Sequence, residues 1–179
     1  RDGLPRDWIK RMKAAMAWVG KNYSSHHMLL EYSESFYLPA LKRAKELCGE
    51  GFQRCKELAA YLQKLKDTWA QVRVEEVSVP PANIFTVGER LAAKARVRLG
   101  GFTAEEVRVE LYYGPVSSTG EIEEAYTLEM APGRKEGDSV EYRAEVECAL
   151  TGRQGYTVRV LPKHAVLTHP YLPGFVKWA

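Results

Sequence analysis

The sequence is poor in features that mark secreted disulfide scaffolds, membrane proteins and nucleic-acid binders. Its three cysteines, Cys48, Cys55 and Cys148, are an odd number without paired spacing, which argues against a disulfide framework and favours a reducing compartment. No apolar run approaches the ~18 residues of a membrane span. The net charge is only +3 and no basic block stands out, so nucleic-acid binding is not indicated. We expect a soluble, cytoplasmic chain.

An initiator methionine is also missing. The first residues read RDGLPRDWIKRMK, with a turn signal at Asp2-Gly3 and a proline, Pro5, that suits the first turn of a helix. A helix beginning here needs something before it, so we interpret the sequence as the carboxy-terminal piece of a longer chain whose chemistry lies upstream. A mature domain left after removal of a signal peptide is the alternative.

Residues 1–72 have the period of amphipathic helices. Apolar residues recur at intervals of three and four in three stretches: Trp8, Ile9, Met12, Ala15, Met16 and Val19; Met28, Leu29, Tyr32, Phe36 and Tyr37; and Phe52, Cys55, Leu58, Leu62, Leu65, Trp69 and Val72. Ser24-Ser25 offers an N-cap for the second stretch, and Pro39 kinks or ends it. The break CGEG at residues 48–51 precedes the third. About three helices are predicted.

After Val72 the apolar period becomes two. The clearest alternating runs are Val107, Val109, Leu111 and Tyr113, and then Val140, Tyr142, Ala144, Val146, Cys148 and Leu150. A slip at Glu75-Glu76 predicts a β-bulge, and Pro132-Gly133 is one of several turn signals. Six or seven strands without crossover helices predict an antiparallel, immunoglobulin-like β-sandwich over residues 73–179. The predicted fold class is α+β.

Few side chains have the spacing of a catalytic or metal site. His26-His27 with Glu31 and Glu34 could form a cluster, because His27 and Glu31 are four apart on one helix face. A full metal site needs three or four ligands, so a polar pair on the helix surface is the favoured interpretation. For the cysteines, a nucleophilic role would need a base that nothing identifies. The sequence nominates no catalytic, cofactor-binding or metal-ligating residue.

Tyrosines on the predicted strands are the remaining candidates, because a flat ring packs well against the apolar face of a sugar. Tyr113, Tyr142 and Tyr156 share the parity of the buried positions in their strands and are expected in the core, whereas Tyr112 should face outward. One exposed ring is weak evidence for glucan binding, since a platform normally has two or more rings with polar partners. The substrate-binding residues are left open. The apolar tail, with Tyr171, Phe175 and Trp178, is expected to pack.

Four stretches resemble a known family: DGLPRDWIKRMK at residues 2–13, YSSHHMLLEYSESFYLPA at 23–40, GRQGYTVRVLPKH at 152–164 and PYLPGFVKWA at 170–179. They are similar to the carboxy-terminal part of the short bacterial and archaeal α-glucan phosphorylases. Those relatives of glycogen and starch phosphorylase have a GT-B glycosyltransferase fold and depend on pyridoxal phosphate. The resemblance covers nearly the whole chain and is loose at residues 48–65 and 117–137.

The resemblance implies that the cofactor lysine and the phosphate-binding motifs lie before this sequence, so no catalytic residue can be transferred to it. Residues 1–72 would be the end of the catalytic body, and 73–179 an appended module. The expected function is a non-catalytic part of an enzyme that degrades α-1,4-glucan with phosphate to glucose 1-phosphate. Pyridoxal phosphate is expected in the parent and not in this piece.

Two other functions stay open at this point. One is a non-enzymatic carbohydrate-binding or scaffolding module that anchors a partner to glucan. The other is a structural cap that mediates oligomerisation. The expected partners are the upstream catalytic domain, α-glucan and a second copy of the chain, with no nucleic acid and no membrane.

Overall fold

A computed structural model describes residues 3–80 and 84–179. The chain divides into two compact units between Cys55 and Lys56. The predicted change from helix to strand at Val72 is confirmed, because the last helical turn ends at Gln71 and the first strand begins at Arg73. The sequence also predicts that Pro80-Pro81 ends the first strand, and Pro81 lies outside the described residues.

The helices are α1 (Arg6–Asn22), α2 (Ser25–Tyr32), α3 (Leu38–Cys48) and α4 (Gln53–Thr68). Short 3₁₀ turns cover Glu50–Phe52 and Trp69–Gln71. The expectation of about three helices is therefore wrong in number, since a π-helical turn at Ser33–Tyr37 separates α2 from α3. The predicted N-cap of α2 is confirmed, because the Ser24 hydroxyl accepts a hydrogen bond from the His27 N–H at 3.2 Å.

Of the two outcomes predicted for Pro39, a kink or an end of the helix, the structure excludes the end, because the helix continues past it after a π-helical turn. Proline lacks an N–H, and in a regular helix its ring clashes with the carbonyl four residues earlier. The π-helical turn comes directly before it, and there the Leu38 N–H donates to the Ser33 carbonyl, five residues back. This local widening of the helix accommodates Pro39, and α3 continues to Cys48.

The strands are β1 (Arg73–Ser78), β2 (Arg90–Arg98), β3 (Val107–Pro115), β4 (Tyr126–Glu129), β5 (Ala131–Glu136), β6 (Ser139–Glu147), β7 (Gln154–Pro162) and β8 (Lys177–Trp178). They form two four-stranded sheets, in the orders β1-β2-β6-β5 and β4-β3-β7-β8. All the named strand pairs are antiparallel. The fold class is therefore α+β, as predicted.

Strand details both confirm and correct the sequence analysis. The bulge predicted at Glu75-Glu76 is confirmed as a register shift between Val74 and Glu76. Eight strands replace the six or seven expected among the described residues. One addition is β5, which contains the Pro132-Gly133 pair that was expected to be a turn. Proline is tolerated there because β5 is an edge strand and its register shifts between Pro132 and Lys135.

One hydrophobic core is shared by both sheets and by α4. Its buried residues include Val97 and Tyr142 from the first sheet, Leu111 and Val160 from the second, and Leu65 from the helix. In contrast, none of residues 3–49 and 51–55 is buried. The second unit thus has its own apolar interior, while the helices of the first unit leave large apolar side chains exposed.

Candidate functional site

The metal cluster considered from sequence is not assembled in the structure. His27 Nε2 and Glu31 Oε2 are 4.0 Å apart on the exposed surface of α2, as their spacing predicted. Within the described residues, no group of three or more His, Cys, Asp or Glu side chains could hold a metal ion. Cys48 and Cys55 are exposed and Cys148 is half-buried, all three as free thiols.

The tyrosines expected in the core have different environments. Tyr142 is buried, and Tyr113 packs against the core while partly exposed. Tyr156 is 42% exposed, so its assignment to the core was wrong. Its parity is correct, but it lies near the beginning of β7, where the interior is open to solvent and lines a cavity.

This cavity, which we call the tyrosine pocket, has a volume of about 250 Å³. It is lined by residues of both sheets and of the segment between β6 and β7: Leu91, Leu111, Tyr113, Tyr126, Val146, Glu147, Cys148, Ala149, Leu150, Gln154, Gly155 and Tyr156. Leu111 and Val146 are buried, and they provide an apolar lining beside the more exposed tyrosines. The lining residues include no Lys, Arg or His, and Glu147 is exposed on the face of β6 opposite to Val146.

Three tyrosines form a row across this pocket. Tyr113 of β3 is opposite Tyr126 of β4 and opposite Tyr156 of β7. Residues directly opposite in an antiparallel pair share a face of the sheet. The Tyr113 and Tyr126 ring centroids are 5.8 Å apart. Sequence analysis missed this row because strand register decides which tyrosines become neighbours.

Two glycines allow the chain to fold closely over this end of the sheet. Gly114 and Gly155 are register partners on β3 and β7. A Cβ at Gly114 would overlap the Glu124 carbonyl oxygen, and one at Gly155 would overlap the Val116 side chain. Glycine is the residue that permits so close an approach of neighbouring atoms. The segment after β3 therefore packs on the face of the sheet opposite to Tyr113 and Tyr156.

On the outer face of the same sheet, Tyr112 is not a free platform. Its ring is 5.2 Å from that of Trp178, and the Arg159 guanidinium carbon lies 5.2 Å from its centroid. The same guanidinium faces the rings of Tyr171 and Trp178 at 5.2 and 5.6 Å. The prediction that the tail packs is confirmed, since its rings surround Arg159 and Phe175 contacts the core. Tyr112 faces outward as predicted, but it is partly covered.

Polar contacts join α4 to the second unit's sheets. The Tyr61 hydroxyl donates to the Glu106 carbonyl at 2.8 Å and accepts from the Lys163 N–H at 3.1 Å. Burial raises the pKa of Tyr61 to about 12, assisted by the charge of Glu106 and opposed by the Lys163 hydrogen bond. His164 stacks on the Tyr61 ring at 4.6 Å. These interactions hold the helix in one orientation against the sheets.

Comparison with known proteins identifies the family. The model of the glycogen phosphorylase C-terminal domain matches residues 69–179, which include every strand described above. The chain belongs to this family. The resemblance seen in its terminal motifs is thereby confirmed.

Individual relatives are similar to this chain over its amino-terminal helices as well as over the glycogen phosphorylase C-terminal domain. Maltodextrin phosphorylase of Thermococcus litoralis is 31% identical over 175 residues, covering 96% of this chain and 20% of the relative. Glycogen phosphorylases of Mycobacterium bovis and Mycobacterium tuberculosis are 29% identical over 179 residues, covering 99% of this chain and 21% of each relative. The chain thus spans about one fifth of the length of the curated relatives it matches.

The residues described do not fit a pyridoxal phosphate site. Such a site needs a lysine that can form a Schiff base beside a phosphate-binding cradle. The tyrosine pocket has no lysine, and the cavity that Lys163 lines also contains Glu129, whose carboxylate is 2.6 Å from the Lys163 ammonium. That lysine is committed to an ion pair. We therefore derive no catalytic step from these residues.

Proposed function

We propose that the chain is the non-catalytic carboxy-terminal part of an α-glucan phosphorylase. Such an enzyme cleaves α-1,4-glucan with inorganic phosphate and releases glucose 1-phosphate. The observation that carries the proposal is the match of residues 69–179 to the glycogen phosphorylase C-terminal domain, joined to relatives about five times as long. The absence of a suitable lysine site in the described residues supports the assignment of catalysis to another part of the enzyme.

The amino-terminal helices are proposed to pack against the catalytic body. Large apolar side chains are exposed along α1 to α3, including Trp8, Met16, Leu29, Phe36 and Leu41. Exposed apolar side chains in such number mark an interaction surface when they lie together. The catalytic part of the same polypeptide is the simplest partner, because the similarity to phosphorylases continues through these helices.

The two sheets are proposed to form an immunoglobulin-like sandwich appended to that body. Their orders, β1-β2-β6-β5 and β4-β3-β7-β8, correspond to strands A-B-E-D and C′-C-F-G of that architecture, and they share one core. The division into 1–72 and 73–179 stays a prediction. The packing of Tyr61 and Leu65 of α4, and of Trp69 in the following 3₁₀ turn, in this core favours a junction nearer to Cys55.

Three further statements belong to this proposal. In the parent enzyme, pyridoxal phosphate is bound by the catalytic part, and the compartment is the cytoplasm. When the catalytic part is missing, two copies of the 179-residue chain associate through their apolar helix surfaces. Two-fold dimers are the commonest closed assembly. None of the helices in the described residues has the length and apolar character of a membrane span.

The competing function is a non-enzymatic carbohydrate-binding or scaffolding module. Tyr112, the outward-facing candidate, does not favour it, because the rings of its neighbours and Arg159 occupy its surroundings. The observation in its favour is instead the row of three tyrosines in the tyrosine pocket. A carbohydrate site there is compatible with either function.

Phosphorolysis assays test the proposal. The sequence preceding this chain in its gene should contain a glycine-rich stretch and the cofactor lysine. The polypeptide with that part included should release glucose 1-phosphate from maltodextrin and phosphate, whereas the 179-residue chain alone should release none. Turnover by the chain alone, or an upstream sequence without those motifs, would contradict the proposal. A cofactor absorbance that survives dialysis of the chain alone would do the same.

A further inference from the structure

The tyrosine pocket has the chemistry of a sugar-binding site. We infer that it binds a glucosyl unit of a neutral α-glucan chain, as a site separate from catalysis. The class of sugar rests on the proposed function, while the pocket's affinity for an uncharged pyranose rests on its own side chains. Neither the family description nor the relatives' names assign such a site to this domain.

The three rings provide the apolar contact. Tyr126 and Tyr156 are 45% and 42% exposed, flanking the more buried Tyr113 on neighbouring strands. Tyrosine offers a large, rigid surface at low conformational-entropy cost, and a ring in a cavity can pack on the apolar face of a pyranose. A row of rings at strand spacing presents more than one contact to a single chain. The pocket therefore has the two or more rings that a sugar platform requires, whereas Tyr112 is a single ring.

Polar groups at the same cavity can receive the sugar hydroxyls. The three tyrosyl hydroxyls make no hydrogen bond to other described residues, and they can both donate and accept. Gln154 adds a side-chain amide, whose Nε2 also donates to the Thr151 carbonyl at 3.4 Å. A purely apolar ligand would leave these groups without partners in a desolvated site, which is unfavourable. A polyhydroxylated ring with one apolar face satisfies both parts of the lining.

Charge narrows the ligand further. The lining contains no Lys, Arg or His, so a phosphate ester would have no compensating cation there. Neutral glucan is therefore favoured over glucose 1-phosphate. The volume of about 250 Å³ is below the range of about 300–1,000 Å³ typical of drug-sized ligands. The pocket thus suits a single sugar unit, with the rest of the chain in solvent.

Titration of the 179-residue chain with maltohexaose, followed by NMR or calorimetry, tests this inference. We expect saturable binding, with shifts confined to residues that line the pocket. Tyr126→Ala and Tyr156→Ala should each weaken binding about tenfold, the loss expected for one stacked ring at about 1.4 kcal/mol. Ala149→Trp, which places a bulky ring at the cavity, should also abolish binding. Tyr23→Ala, at an exposed tyrosine of the other unit, should leave it unchanged.

Several results would overturn the inference. They are no saturable binding of maltohexaose, binding that survives all three pocket variants, equal binding of cellohexaose, or preferential binding of glucose 1-phosphate. Uptake of an apolar dye without any binding of maltohexaose would show that the pocket's ligand belongs to a different chemical class. Unfolding curves must show that each variant is folded. Phosphorolysis by the longer polypeptide is measured separately. If the longer polypeptide is active but the 179-residue chain does not bind maltohexaose, only this inference is refuted and the proposed function stands.

Discussion

Glu110 and Arg159 form a buried ion pair across β3 and β7. Arg159 Nη2 and Nε lie 2.6 and 2.7 Å from Glu110 Oε2. The Glu110 side chain is 0% exposed and the Arg159 side chain 13%. The other carboxylate oxygen is 2.7 Å from Arg108 Nε, so the two arginines neutralise a charge that would be costly to bury alone.

Removing one partner of this pair should destabilise the second unit strongly. Arg159→Ala leaves Glu110 buried with only Arg108 beside it, and we expect a loss of about 3–5 kcal/mol in the free energy of unfolding. Urea denaturation followed by circular dichroism measures it. Arg143→Ala, at the exposed pair with Glu141, should cost about 1 kcal/mol or less. Equal losses in the two variants would contradict a special role for burial.

The Lys64–Glu106 pair should make stability depend on pH. Burial disfavours the charged carboxylate, but hydrogen bonds from Lys64 and the Thr103 N–H outweigh it and lower the pKa of Glu106. Because the folded-state pKa is below the unfolded one, this stabilisation is present above the unfolded pKa and lost as pH falls through the folded pKa. The stability difference between wild type and Glu106→Gln should therefore shrink on acidification.

Denaturant midpoints at pH 7 and at successively lower pH values measure this shrinkage. Glu121→Gln, at an exposed turn position, is the control and should show little difference from wild type at any pH. If the stability difference between wild type and Glu106→Gln stays constant down to the lowest pH, the expected linkage between Glu106 ionisation and folding is refuted.

Tyr61→Phe should destabilise the junction of α4 with the sheets by about 0.5–1.5 kcal/mol. The change removes a hydroxyl that bonds both the Glu106 carbonyl and the Lys163 N–H, but these two groups keep their own hydrogen bond of 2.9 Å, so neither is left without a partner. It keeps the ring that stacks on His164. Thermal unfolding monitors the loss, and Tyr23→Phe is the exposed control.

The same hydroxyl should make stability depend on alkaline pH. Since the pKa of Tyr61 is raised to about 12 in the folded state, the neutral form contributes stability below the unfolded pKa of about 10. That contribution is lost as pH rises through the folded pKa. Burial also raises the pKa of Tyr142 to about 12, so phenolate absorbance should show two late-titrating tyrosines, of which Tyr61→Phe removes one. An unchanged titration curve for this variant would be the contrary result.

The isolated chain should self-associate through its amino-terminal helices. Trp8 is 61% exposed on α1, in the apolar stripe with Met12, Met16 and Val19, and a second copy can cover this stripe. Sedimentation velocity should show dimers or larger species. Trp8→Glu should shift them toward monomer, whereas Lys10→Glu, on the polar side of α1, should not. A monomeric wild-type chain would remove the support for an uncovered interface.

Sequence periodicity predicted the local structure well for physical reasons that act over short distances. The change from a period of 3.6 to one of 2 at Val72 follows from how helices and strands present side chains. The bulge at Glu75-Glu76 and the cap at Ser24 are also local. The sequence left open whether Pro39 kinks or ends its helix, and the π-helical turn before it lets the helix continue. The strand β5 was missed because Pro132 is tolerated at a sheet edge.

The sequence by itself determined the fold class, the family and the alternation that directs Tyr113 and Tyr156 toward one face. Only the tertiary structure decided that these residues and Tyr126 share one open cavity, since register and strand order bring together side chains that are distant in the chain. The tail's contacts with Arg159 likewise require β8 to pair with β7. Local patterns encode which face a residue occupies, whereas its neighbours on that face depend on long-range pairing.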